Sequence, residues 1–137
     1  MGKALGIDYG TKRTGIAITD PEKKIAFGLT TVATSLIYDF IADLFLKDDI
    51  DFFVVGYPIN LDGKVTDNTL HVKNFITNLK KKYPKISIHN VDERLTSKIA
   101  KKAILASGVK KTKRRNKALV DEVSATIILQ NFLDYRA

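Results

Sequence analysis

The stretch DFFVVGYP, residues 51–58, constrains this chain more than any other. A strand with one wet face alternates polar and apolar residues, and this one does not. Such a run is the signature of a strand buried on both faces, as in a parallel sheet with helices on either side. The rest of the chain must then supply neighbouring strands and two helical layers. LGIDYG alternates, with Leu5 and Ile7 on one side and Gly6 and Asp8 on the other. TGIAITD repeats the pattern with Ile16 and Ile18, and IAFGLTTV offers a third strand. The links YGTKR and DPEKK are short and turn-rich, so these three strands read as an antiparallel meander.

Ser35 stands where it can cap a helix carrying Leu36, Ile37, Phe40, Ile41, Leu44 and Phe45 at helical spacing. A second helix begins at Thr66 or Asp67, carries Leu70, Phe75, Ile76 and Leu79, and ends in Lys80, Lys81 and Lys82, a solvated basic end. KISIHNV reads as a strand. Thr96 caps a further helix that Gly108 stops, and a last helix runs from about Leu119 to Leu133. The order β-β-β-α-β-α-β-α-α predicts an α/β fold. Its five-stranded mixed sheet combines the three-strand meander with two parallel strands, flanked by helices, in a single domain over residues 1–137.

Apolar residues make up 45% of the chain and charged residues 28%, the balance of a soluble globular protein. No apolar stretch approaches the roughly 20 residues that cross a bilayer. Asp8 interrupts the first apolar run too early for a signal peptide. Met1-Gly2 begins like an acylation signal, but Gly6 stands where Ser or Thr is expected. A cytoplasmic protein with no membrane partner is the expectation. Cysteine is absent, which removes disulfides, thiol catalysis and Cys-ligated zinc. His71, expected on an exposed helix face, and His89, expected against a helix, are too few for a His-based metal site. Any metal here is held by carboxylates, which points to Mg²⁺ or Mn²⁺. The net charge of +8 favours a polyanionic partner, and so nucleic acid.

Three places carry the chemistry. Asp8 closes the first strand and is followed by Gly10, Thr11, Lys12, Arg13 and Gly15. The glycines let the backbone approach a ligand closely, and the two cations can face phosphates. A plainer role for Asp8 is to accept N–H groups of the following turn. The same D-x-G-T spacing opens the phosphate loop of actin-like and sugar-kinase ATPases. Those folds need a second domain and a second loop, and D-x-G-T does not recur in this chain.

In NVDERLTS, Asp92, Glu93 and Arg94 stand where strand gives way to helix, and ligands of open α/β sheets gather at the carboxyl ends of strands. Acids there also suit the start of a helix. Pleating sends Asp92 and Glu93 to opposite sides, so one of them can share a ligand with Asp8. In ALVDEVSATIILQNFLD, Asp121 shares a helical stripe with Ala125, Ile128 and Phe132, and Glu122 shares one with Leu129 and Leu133. Periodicity does not choose between the two acids. One carboxylate from each place, converging on a divalent ion beside a basic surface, suits metal-assisted phosphodiester hydrolysis.

GIDYGTKRTGIAITD, VVGYPINLDG, VDERLTS and VDEVSATIILQNFL, in this order and at these spacings, resemble the YqgF/RuvX family over essentially the whole chain. The resemblance implies an RNase H-like fold. Members are described both as Holliday junction resolvases and as nucleases that mature the 5′ end of pre-16S rRNA. Matched motif by motif, it implies catalytic, metal-holding carboxylates at Asp8, Glu93 and Asp121, against Asp92 and Glu122. It also aligns the central G-x-P-x-N-x-x-G with Gly56, Pro58, Asn60 and Gly63. Ser124 stands where the family more often has alanine, and Tyr57 where it more often has leucine.

VKKTKRRNK adds six cations between Lys110 and Lys117, just ahead of the Asp121 helix, and reads as a phosphate-contacting loop. Substrate contacts are therefore expected from Lys12, Arg13, Asn60, Arg94, Lys113, Arg114 and Arg115. The expected activity is that of a Mg²⁺- or Mn²⁺-dependent nuclease, a hydrolase acting on pre-16S rRNA in ribosome biogenesis. The alternative is a junction resolvase acting on branched DNA in recombination and repair, which cuts two strands symmetrically and so needs a dimer. A non-catalytic nucleic-acid-binding or ATPase-like module is the third reading. Either a monomer or a homodimer is compatible with the first.

Overall fold

The computed structural model describes residues 2–57, 67–92 and 117–136. Strands β1 (Lys3–Tyr9), β2 (Arg13–Thr19) and β3 (Ala26–Ala33) form the meander, followed by a 3-10 turn at Thr34–Leu36 and helix α1 (Ile37–Lys47). Strand β4 (Ile50–Tyr57), helix α2 (Asp67–Lys82), strand β5 (Ser87–Asp92) and helix α3 (Lys117–Arg136) complete the described order. The five strands lie in the order β3-β2-β1-β4-β5. β1 pairs antiparallel with β2 and parallel with β4, and β5 runs parallel to β4. The ends of β1, β4 and β5 therefore fall on one edge of the sheet.

Both faces of the sheet are covered, which is why β4 does not alternate. On one face Leu5, Ile7, Ile16, Phe53 and Val55 pack against Ile37, Ile41 and Leu44 of α1 and Val72, Phe75, Ile76 and Leu79 of α2. On the other, Ala4, Ala17, Phe52 and Val54 meet Ala125, Ile128 and Leu129 of α3. Where α3 crosses β1 and β2, the strand side of this layer is alanine and glycine, and the helix sits close to the sheet as a result. A β-carbon on Gly6 would lie 2.7 Å from Leu129 Cβ and 3.0 Å from the Ala125 carbonyl oxygen. Only glycine lets the helix axis come this near.

The helix boundaries depart from the periodicity in informative ways. Ser35 does not cap α1. It lies inside the 3-10 turn, and α1 starts at Ile37 with no side-chain hydrogen bond at its N-terminus. Leu36, expected on the inward stripe, is 55% exposed, because three residues per turn shift it off the face that Ile37 and Ile41 occupy. Leu70 is also exposed, since the inward stripe of α2 runs through Thr69, Val72, Ile76 and Leu79 instead. Asp67 begins α2, and α3 is longer than expected at both ends. His71 is exposed, and Lys80, Lys81 and Lys82 are solvated as expected, with Lys82 Nζ 5.0 Å from the Tyr38 ring centre. The expected Thr96–Gly108 helix, the 110–116 part of the basic loop and the Pro58–Gly63 segment lie outside the described residues.

Candidate active site

Asp8 is the last α3-facing position of β1. Along that strand Ala4 and Gly6 face α3, and alternation sends Asp8 the same way. Its partner across the hairpin is Gly15. The backbone of Asp121 lies directly on Gly15: a β-carbon there would be 3.0 Å from the Glu122 nitrogen and would overlap the Asp121 carbonyl oxygen. β1 runs 4, 6, 8 while α3 runs 129, 125, 121 above it, so the strand end and the helix start arrive together. Two acids separated by 113 positions in sequence thus share one face and one edge of the sheet.

The loop between β1 and β2 forms the floor of a cleft of about 340 Å³ lined by Gly10, Thr11, Lys12, Arg13, Asn68 and Asp121. Arg13 Nε donates to Asp121 Oδ2 at 2.8 Å. The loop is held from behind by Thr34, whose hydroxyl donates to the Gly10 carbonyl at 2.6 Å and lies 2.8 Å from the Thr14 hydroxyl. The Thr34 N–H donates to the Lys12 carbonyl at 3.0 Å. Thr14 and Thr34 are both buried. Three hydrogen bonds centred on Thr34 thereby fix a loop that glycine alone would leave free.

The neighbouring acids go elsewhere. Asp92 lines a separate cleft with Tyr57, Lys73, Ile76, Thr77 and Asn90, on the α2 face and away from α3. Glu122 extends over β3, its Oε1 2.6 Å from where a Gly28 β-carbon would stand. His89 stacks on Phe132 at 4.8 Å and meets Phe52 edge-on at 5.3 Å, a packed strand residue as expected. Of the expected site residues, Lys12, Arg13 and Asp121 line one cleft, and Asp8 lies on the same sheet face, opposite Gly15. Glu93, Asn60, Arg94, Lys113, Arg114 and Arg115 lie outside the described residues. The residues that sequence reasoning missed are Thr14, Thr34 and Asn68. Thr34 carries no local signal at all, because its partners are 20 and 24 positions away.

A β3-β2-β1-β4-β5 sheet with an antiparallel meander, and a long C-terminal helix laid over β1 and β2, defines an RNase H-like fold. The structure of RuvC from Thermus thermophilus in complex with Holliday junction substrate superposes with a TM-score of 0.58 at 14% identity, covering 99% of this chain and 96% of that one. A second T. thermophilus RuvC structure gives a TM-score of 0.54 at 13% identity, covering 98% of this chain and 95% of that one. Residues 2–135 match the family described as RuvX: Holliday junction resolvase, and the chain belongs to that family. A Porphyromonas gingivalis relative named "Putative pre-16S rRNA nuclease" is 48% identical over 134 residues, 98% of this chain and 97% of that protein. A relative of the same name from Christiangramia forsetii is 47% identical over 133 residues.

Proposed function

We propose that this protein is a metal-dependent nuclease that hydrolyses phosphodiester bonds at the 5′ end of pre-16S rRNA. The observation that carries the proposal is that Asp8 stands opposite Gly15 on the hairpin while the Asp121 backbone lies on Gly15, with Asp121 lining the cleft beside Gly10–Arg13. The donor chemistry fits a hard divalent ion, with carboxylate oxygens and no thiolate or imidazole at hand. Among the described residues no group of three such side chains converges. The third donor of the proposed set is Glu93. Val91 packs on the α3 side and Asp92 on the α2 side, and Glu93, the acidic position that the family resemblance assigns, follows them outside the described residues. Mg²⁺ or Mn²⁺, when bound, would activate a water and stabilise the leaving oxygen.

The chain's own residues divide the remaining work. Asp8, Glu93 and Asp121 hold the ion. Lys12 and Arg13 present positive charge to the substrate backbone across a loop fixed by Thr14 and Thr34. Asn60 and Arg94 extend that contact, and Lys113, Arg114 and Arg115 grip phosphates further along. Residues 1–137 act as one nuclease domain, as monomer or homodimer. An rRNA precursor as substrate places the reaction in the cytoplasm, and among the described residues no helix is long and apolar enough to cross a membrane.

The family description and the likeness to RuvC favour a second reading, cleavage of branched DNA. One experiment separates the readings. The protein is incubated with precursor rRNA, a four-way DNA junction and ATP, each with and without Mn²⁺. Mn²⁺-dependent trimming of the rRNA alone supports the proposal, and symmetric nicking of the junction alone replaces it with the second reading. Mn²⁺-dependent ATP hydrolysis that Asp8→Asn abolishes would overturn both in favour of the ATPase-like module.

A further inference from the structure

The inference rests on the metal reading above and concerns what Arg13 does to it. Arg13 Nε stands 2.8 Å from Asp121 Oδ2, and the pair is only partly shielded, with side chains 40% and 23% exposed. Arg13 lies two residues before Gly15 on β2, so it shares the pleat face that Asp121 covers. Its guanidinium therefore sits on the same side of the sheet as Asp8 and lines the same cleft as Lys12 and Asn68. A donor on Oδ2 takes one of the carboxylate's lone-pair sites, and its positive charge repels a dication at ligand distance. Two cations compete for one carboxylate.

We propose that Arg13 is a resident counter-ion that yields Asp121 to the metal. Without metal, it offsets the repulsion of carboxylates gathered at one edge and keeps the start of α3 closed on Gly15. With metal, the guanidinium leaves Oδ2 and turns into the cleft, where its fork of N–H donors suits a phosphate. Metal loading and grip on the substrate backbone are thereby coupled through one side chain, and the coupling is reciprocal. Arg13 is a positioning residue toward the metal and a binding residue toward the substrate.

Calorimetric titration with Mn²⁺ alone, at low salt and without nucleic acid, tests this. Removing a partly exposed ion pair that competes for the site should tighten Mn²⁺ binding by Arg13→Gln roughly 1.5- to fivefold. A guanidinium that merely held Asp121 in place would give the opposite sign. Weaker or unchanged Mn²⁺ binding by Arg13→Gln, in a protein that melts as wild type does, overturns the proposal. Should Arg13→Gln fail to fold, Arg13→Lys serves instead. It keeps the charge but loses the planar fork, so its Mn²⁺ affinity should exceed that of wild type, and equal affinity overturns the proposal. In a second arm, Mn²⁺ should strengthen binding of a non-cleavable phosphorothioate RNA more in wild type than in Arg13→Gln, and equal gains overturn the coupling. Mn²⁺ binding lost in Asp8→Asn but unaltered in Arg13→Gln removes only the counter-ion role. Absence of Mn²⁺ binding by wild type removes the metal reading with it.

Discussion

Gly15 and Asp121 meet backbone to backbone, and no side chain fits between them: a β-carbon on Gly15 would overlap the Asp121 carbonyl. Gly15 is also the cross-strand partner of Asp8. The contact therefore sets how close the two acids come, and Gly15→Ala should separate them. Overpacking against backbone, which cannot rotate away, costs about 1–3 kcal/mol. Cleavage should fall further than stability, because α3 must lift at the end that carries Asp121. Gly28→Ala makes a control. Its β-carbon would meet the Glu122 carboxylate at 2.6 Å, the far end of a flexible side chain, so the cost should stay under about 1 kcal/mol with activity retained. Urea unfolding and a cleavage assay on both variants check the contrast.

Asp8→Asn, Glu93→Gln and Asp121→Asn should each abolish cleavage while leaving the fold intact. The substitutions keep shape but weaken metal ligation. Mn²⁺ should raise the melting temperature of wild type and raise that of the variants little or not at all. Normal cleavage by any one of them would remove that residue from the catalytic set.

Replacing Lys113, Arg114 and Arg115 by alanine tests the basic loop. If these side chains contact phosphates, the slope of log affinity against log salt should flatten by roughly 2 to 3 units, with binding weakened for all sequences alike. An unchanged slope would mean a merely solvated loop and would leave the substrate path to Lys12, Arg13 and Arg94.

Ser124 is fully buried in α3, and among the described residues its hydroxyl has no hydrogen-bond partner. A buried hydroxyl without a partner loses its bonds to water and recovers nothing, at a cost of about 1–3 kcal/mol. Ser124→Ala should therefore be neutral or stabilising, by up to about 1 kcal/mol once the small void is counted. A clear loss of stability on thermal unfolding would show that the hydroxyl is satisfied in solution.

Asp51 predicts an acid-side dependence. Its Oδ2 lies 2.6 Å from Lys23 Nζ and accepts the Gly2 N–H at 3.2 Å. The hydrogen bond from Lys23 holds its carboxyl below the ordinary carboxylate value. A depressed folded-state value contributes stability above the unfolded value, near pH 4, and that stability is lost as pH falls through the folded one. Asp51→Asn should accordingly lower the melting temperature at neutral pH and converge with wild type as the pH falls below the folded-state value. A gap that stays constant with pH would mean the pair acts through packing alone.

The fold was legible in the sequence wherever a residue's environment repeats along the chain. The unbroken run at β4 required helices on both faces, and alternation at β1 and β2 divided the two cores, because pleating is a local property of backbone geometry. It failed at Ser35, Leu36 and Leu70, where a 3-10 turn and a rotated stripe replaced the expected helical phase. The acids could be named as candidates from their places at strand ends and a helix start, but Asp121 and Glu122 were equivalent by spacing. The structure separated them, putting one over Gly15 and the other over Gly28. That choice depends on the height and phase at which α3 lies on the sheet, which Gly6 and Gly15 set by lacking a side chain. Likewise, nothing near Gly10 announced that Thr34 would fasten its loop, nor anything near Arg13 that it would neutralise Asp121. Such contacts join positions far apart in the chain, and only packing of the whole sheet decides which distant groups share a few ångströms.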